Sequence, residues 1–165
     1  MKRPRPELPR NAPEGTVWFG GPIGWFSIAL TVRATDLVPD EITRLLLVEP
    51  TCTQIKDVPL ARRAGARAAT FGSWTVALTP HETDEWDVTE AMRLLVGRFP
   101  KDIAPWRQLP PGAEIRLSLG LALATANQGF SLPSDILRFA ADRDIEIAFD
   151  IYADSVSCRP ALDAG

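Results

Sequence analysis

The stretch over residues 26–50 constrains the fold most, because two hydrophobic periods follow one another in it. Apolar side chains alternate with small or polar ones over residues 26–33, which predicts a β-strand with one apolar face. Pro39 suits a first helical turn, and Asp40 and Glu41 suit the positive end of a helix. Apolar residues then recur at helical spacing until a proline forbids further helix. The stretch therefore predicts a strand followed by a helix.

The same two periods recur further along the chain. Residues 72–79, 113–125 and 145–152 alternate as strands, and residues 88–99 and 134–142 show helical spacing. Asp87 and Glu90 have the spacing of a capping box at the start of the first of these helices. Weaker signals predict a helical turn within 103–109, a brief strand at 130–132, and either a loop over 56–70 or a helix over 60–69.

Each predicted strand has only one strongly apolar face, whereas strands of a doubly wound parallel sheet are apolar on both. We therefore expect an α+β fold with a mainly antiparallel sheet of four or five strands and helices packed on one face. The order, β-α-β, a linking helix and β-α-β again, relates it to the ferredoxin-like arrangement. We expect one domain over residues 14–152, between a flexible, basic, proline-rich tail (1–13) and a C-terminal tail (153–165).

Several short motifs in this order resemble a known family. They are the strand from Ser27 to Arg33, the run Pro39-Asp40-Glu41-Ile42-Thr43-Arg44-Leu45-Leu46, Glu49-Pro50-Thr51, Gly72-Ser73-Trp74 and Phe149-Asp150-Ile151-Tyr152. Together they resemble the bacterial family called domain of unknown function 4279, over roughly residues 26–152. The resemblance implies a compact bacterial α+β domain. It carries no established activity, so it implies no catalytic residue.

The residue types exclude several kinds of chemistry. His81 is the single histidine, and we expect it in an exposed loop beside a helix start. Cys52 and Cys158 are too few for a zinc site and suggest no secreted disulfide framework. No nucleophile elbow or phosphate-binding glycine motif is present. We expect no catalytic residue of a known type, no metal and no cofactor.

The charge and hydropathy of the chain bear on its location. A net charge of −3 gives no general electrostatic attraction to nucleic acid or to an anionic membrane. No apolar run approaches the roughly 20 residues that a membrane helix needs. The basic N-terminus lacks the apolar segment of a signal peptide. We therefore expect a cytoplasmic protein that does not bind membranes.

The polar face of the predicted sheet is the first candidate binding surface. Its side chains are mostly small: Ser27, Ala29, Thr31, Thr75, Ala77, Ser118, Gly120, Ala122 and Ala148. Four further residues could form a charged cluster there: Arg33, Arg116, Asp150 and Tyr152. Glu146 and Asp150 share this face but lie about 13 Å apart along their strand, too far to share a proton. We expect this face to be either flat and solvated, or covered by Trp18, Phe19 and Trp25, by a second copy of the protein, or by a ligand.

The basic segment over residues 56–70 is the second candidate surface. Arg62, Arg63 and Arg67 could contact phosphate or an acidic protein. Trp74 could stack on a base, but its alternation assigns it to the core, which weakens the case for nucleic acid.

The residues leave three functional hypotheses open. The first is a non-catalytic binding or protein-interaction module, whose partner is another protein or a second copy in a homodimer. The second is a small-ligand binder or an enzyme that uses the polar sheet-face cluster. The third is an immunity-type protein that binds a toxin.

Overall fold

Strand β1 (Trp25–Ala34) is the centre of the sheet, and every second residue of it is buried under the helices. The computed structural model describes residues 23–59, 68–79, 87–123 and 128–152. Four other strands are β2 (Cys52–Gln54), β3 (Gly72–Leu78), β4 (Glu114–Ala122) and β5 (Glu146–Tyr152). The α-helices in these ranges are α1 (Pro39–Leu46), α2 (Val88–Val96) and α3 (Ser134–Ala141), and a 3₁₀ turn covers Trp106–Gln108. The tails, His81, Cys158 and the arginines at 62, 63 and 67 lie outside the described residues.

The sheet has the strand order β2-β3-β1-β4-β5. Strand β1 pairs antiparallel with both β3 and β4, and β2 pairs antiparallel with β3. Only the β4–β5 pair is parallel among these strands, and α3 makes the crossover that a parallel pair requires. The expected α+β fold with a mainly antiparallel sheet and helices on one face is therefore confirmed, with a mixed sheet of five strands.

The core lies between the helices and the apolar face of the sheet. Rows of apolar side chains run across the strands: Leu30 of β1 lies opposite Val76 of β3 and Leu117 of β4, and all three are fully buried. Burial of each such side chain contributes about 1.5–3 kcal/mol to folding. Trp74, expected in the core, is also fully buried.

Helix α1 begins and ends as its sequence predicts. Pro39 occupies the first turn together with Asp40 and Glu41. The helix ends where Leu47 adopts a left-handed conformation with a φ of 55°, and the N–H of that residue bonds to the carbonyl of Thr43. Such a left-handed residue is a common helix terminator because it satisfies a carbonyl of the last turn.

Helix α2 begins at the predicted cap. The side chain of Asp87 accepts hydrogen bonds from the backbone N–H of Thr89 at 2.8 Å and of Glu90 at 3.3 Å. The helix ends at Val96, three residues before the predicted end, and the chain then turns so that Phe99 is buried.

An aromatic cluster anchors the segment after α2. The ring of Phe99 lies 5.5 Å from that of Trp106 and 6.4 Å from that of Phe139 on α3. The guanidinium of Arg143 lies 4.3 Å from the Phe139 ring centroid and donates to the carbonyl of Lys101 at 2.6 Å. These contacts join the end of α3 to the segment before the 3₁₀ turn.

The structure adds one short strand and tests two of the weaker predictions. Strand β2 was not predicted, because its three residues, two of them exposed, are too few to show alternation. The turn predicted within 103–109 is a single 3₁₀ turn. The strand predicted at 130–132 is wrong, because this segment has no ladder partner and Phe130 instead packs on Phe149. In the segment 56–70, an isolated bridge joins Pro59 and Ala68.

Candidate functional site

The sheet face opposite the helices, which we call the open face, consists mainly of small side chains, as expected. Thr31 and Thr75 face each other across β1 and β3, with their hydroxyl oxygens 3.1 Å apart. Gly120 lies opposite Ser27, and a Cβ at this glycine would be 2.7 Å from the serine oxygen. The absence of a side chain at Gly120 therefore leaves room for the hydroxyl of Ser27.

Arg33 lies at one end of the open face. Its guanidinium stacks on Phe71, with Cζ 3.8 Å from the ring centroid. Glu114 is directly opposite in the ladder, but the two form no ion pair within the described part of the chain. The Nε of Arg33 is buried and has no hydrogen-bond acceptor among the described residues.

Arg116 pairs with a glutamate on the neighbouring strand. It lies beside Glu146 in the parallel ladder, and its Nε and Nη2 donate to one carboxylate oxygen at 3.1 and 2.9 Å. Both side chains are exposed, so an ion pair of this kind contributes at most about 1 kcal/mol to stability. The Nε–H and one N–H of Nη2 are therefore already engaged in this ion pair.

Asp150 and Tyr152 form a separate pair at the other end of β5, where the tyrosine hydroxyl donates to the carboxylate. Asp150 lies four residues from Glu146, which corresponds to about 13 Å along a strand. Since Arg116 is held by Glu146, it is separated from Asp150 by a similar distance. The four residues predicted as one cluster thus form three separate groups: Arg33 with Phe71, Arg116 with Glu146, and Asp150 with Tyr152.

The apolar face of the outer strand β5 is only partly buried. Its alternation places Ile145, Ile147, Phe149 and Ile151 on one apolar face, and Ile145, just before the strand, is buried. Phe149 and Ile151, however, are 45% and 60% exposed, although they continue the rows of the buried Leu119 and Leu121. Periodicity identifies which face a residue occupies, but only strand order determines whether another element covers that face. We call the strand with these two exposed side chains the β5 edge.

On the helix side of the sheet, a solvent-exposed network of ion pairs joins α2 and α3. Arg93 of α2 contacts both Glu90 and Asp135, the latter at 3.0 Å from Nε. The hydrogen bond from Arg93 lowers the pKa of the Asp135 carboxyl, and the same bond raises the pKa of Arg93. These shifts arise from a surface pair that holds α2 to α3, so they do not indicate a catalytic group.

The described residues contain no group of three or more histidine, cysteine or acidic side chains that could hold a metal ion. Cys52 is an exposed, free thiol. Across the same ranges, no helix has both the length and the apolar character needed to cross a membrane.

Comparison with known proteins identifies the family. No curated protein and no solved structure matches the chain significantly. The family model described as domain of unknown function (DUF4279) matches residues 25–154, which include the whole sheet and the helices between its strands. The resemblance found in the sequence is thereby confirmed, and the chain belongs to the DUF4279 family.

Proposed function

We propose that this protein is a non-catalytic protein-interaction module that binds its partner at the β5 edge. One observation carries the proposal: two rows of the hydrophobic core continue onto an outer strand and end in the exposed side chains of Phe149 and Ile151. Exposed apolar side chains on an unprotected edge strand are characteristic of surfaces that pair with another chain.

The backbone of β5 supports the same role. The carbonyl of Tyr152 accepts a hydrogen bond from Leu123 at 2.9 Å, so the backbone polar groups of residue 152 point towards β4. These groups alternate in direction along a strand, so those of Ile147, Phe149 and Ile151 point to the outer side. β5 has no second strand neighbour among the described residues. An added strand would therefore gain both backbone hydrogen bonds and apolar contacts.

The separation of the polar groups favours binding over catalysis. Catalytic acids, bases and nucleophiles have to lie within hydrogen-bond reach of a common site. On the open face, Arg116 and Asp150 are each engaged with a neighbour and are far from each other. The exposed thiol of Cys52 is compatible with a reducing compartment, which supports the bacterial cytoplasm as the proposed location.

Site-specific photocrosslinking tests this function. The photoreactive amino acid p-benzoylphenylalanine is placed at Ile151 in the full chain, in the cells that naturally make the protein. The matched control position is Leu47, which is 81% exposed at the end of α1. We expect a discrete protein adduct from position 151, stronger than any from position 47, that forms again from purified components. Equal or absent adducts at the two positions would reject the proposal.

The stacking of Arg33 on Phe71 favours a second candidate function, a small-ligand binder on the open face. A guanidinium stacked on an aromatic ring is pre-oriented to bind a carboxylate or phosphate. Titration with inorganic phosphate, followed through the NMR signal of the Arg33 Nε–H, tests this candidate. A saturable shift that is absent for the Arg107 side chain would support it, and a uniform small shift of both would reject it.

A further inference from the structure

We infer that the partner at the β5 edge is a second copy of this chain, which adds its own β5 antiparallel in a register centred on Phe149. The inference rests on the proposed function, because it names the partner of the same surface. It would join the five-stranded sheets of two copies into one continuous sheet, with the helices of both on the same side.

The two edges of the sheet differ in how well they resist such pairing. Edge strands are usually protected by being short, or by charged side chains (above all lysine), proline or a bulge. β2 is three residues long and thus short enough to be protected. β5 has seven residues, Glu146–Tyr152, with no lysine or proline, and its register with β4 is continuous. Its two charged side chains, Glu146 and Asp150, are engaged by Arg116 and Tyr152. Pairing of two copies is therefore favoured at β5.

Hydrogen-bond direction restricts the register. Ile147, Phe149 and Ile151 direct their backbone groups outwards, and in an antiparallel pair such residues must face residues of the same kind. A symmetric pair therefore has its two-fold axis at a residue of β5, since an axis between two residues would place outward groups opposite inward ones.

Three axes, at Ala148, Phe149 and Asp150, pair five or more of the seven residues of each β5, and charge selects one of these three registers. An axis at Ala148 places Glu146 opposite Asp150 of the second copy twice, and an axis at Asp150 places this carboxylate opposite its own copy. Like charges directly opposite each other are destabilising. An axis at Phe149 instead places Ala148 opposite Asp150 and Glu146 opposite Tyr152, with no pair of like charges.

The same register covers the exposed apolar side chains. Phe149 faces Phe149 of the second copy, and Ile147 faces Ile151 on each side of it. Residues directly opposite each other on one face of an antiparallel pair lie about 4.5–5.5 Å apart at Cβ, close enough for these side chains to contact. The two rows of apolar side chains that end at Phe149 and Ile151 in one copy would then continue into the second copy.

Analytical ultracentrifugation of the purified full chain tests the inference. We expect a reversible species of twice the monomer mass. Ile151→Asp should weaken self-association by at least about tenfold, since two-fold symmetry introduces each substitution twice. Leu47→Asp, the same kind of change at the exposed leucine that follows α1, should leave association unchanged. Circular dichroism spectra equal to wild type confirm that both variants are folded.

Charge substitutions at Ala148 test the register itself. With the axis at Phe149, Ala148→Lys faces Asp150 of the second copy and should strengthen association roughly threefold or more, while Ala148→Glu should weaken it by a similar factor. With the axis at Ala148, the lysine would face itself, and both variants would weaken association. That second result would overturn the proposed register.

The two proposals fail in distinguishable ways. A chain that stays monomeric at high concentration, but crosslinks from position 151 to a different protein, would overturn the second copy as partner and leave the interaction module in place. A monomeric chain with no specific adduct at position 151 would overturn both.

Discussion

The indole Nε1 of the fully buried Trp74 donates a hydrogen bond of 3.0 Å to the side-chain hydroxyl of Thr43. This bond connects the core side of β3 to helix α1 and satisfies the one polar atom of the tryptophan side chain. It allows a large aromatic residue to fill the core without leaving a buried donor unpaired.

We predict that Thr43→Val destabilises the protein. The substitution keeps the side-chain shape but removes the acceptor, and an unsatisfied buried donor costs about 1–3 kcal/mol. The free energy of unfolding is measured by urea denaturation. Thr53→Val, at an exposed position of β2, is the control and should change the unfolding free energy by less than about 0.5 kcal/mol. Equal losses in the two variants would show that the bond to Trp74 contributes nothing.

We predict that Asp87→Ala lowers the unfolding free energy by about 1 kcal/mol, since it removes the side-chain acceptor that caps α2. Asp87→Asn retains an acceptor oxygen and should recover most of the loss. Thermal and urea unfolding of both variants provide the measurement. If the asparagine variant is as unstable as the alanine variant, the negative charge and not the cap would be responsible.

We predict that Gly72→Ala is strongly destabilising. A Cβ at this position would lie 2.7 Å from the carbonyl oxygen of Leu37 and 2.9 Å from its Cβ, so β3 and the loop before α1 must move apart. Strain of this kind costs about 1–3 kcal/mol. Gly129→Ala is a matched control, because its Cβ would meet nothing within 4 Å. Similar stability of the two variants would contradict this packing.

We predict that the pKa of the Asp135 carboxyl lies below its ordinary value and rises in Arg93→Met, since the hydrogen bond from that arginine is the main cause of the shift. A lowered pKa means that the folded protein prefers the charged form. The contribution to stability is therefore present above the pKa of the unfolded chain and is lost as pH falls through the folded pKa. NMR titration of the Asp135 Cγ measures both values.

The control for this titration is Arg98→Met, which removes an exposed charge five residues further along the chain than Arg93 that forms no hydrogen bond with Asp135 in the described part of the structure. It should leave the pKa of the Asp135 carboxyl unchanged. A pKa that rises equally in both arginine variants would indicate a general charge effect in place of the specific bond between α2 and α3.

Local patterns predicted most of the secondary structure. The alternation in β1 and β4 identified both strands and their faces within a few residues, and the cap at Asp87 identified the start of α2. These signals are local, because a strand or helix with one buried face has to repeat apolar residues at its own period. The end of α2 was predicted three residues too late, because the buried Phe99 continues the helical spacing after the helix has ended. β2 was missed because its three residues are too few to show a period.

The candidate surfaces were predicted only in part. The small side chains of the open face follow from alternation, but the separation of Arg116 from Asp150 follows from the register of β4 and β5. The stacking of Arg33 on Phe71 joins a residue of β1 to the residue just before β3, and no spacing in the chain indicates it.

The sequence by itself determined which residues form strands and helices, which side of each is apolar, and the family to which the chain belongs. Only the tertiary structure decided the strand order, the parallel pairing of β5, and the exposure of Phe149 and Ile151. The physical reason is that periodicity reflects a side chain's direction within its own element. Whether that side chain is buried depends on which elements lie beside and above it, and this is determined by packing between segments distant in the chain.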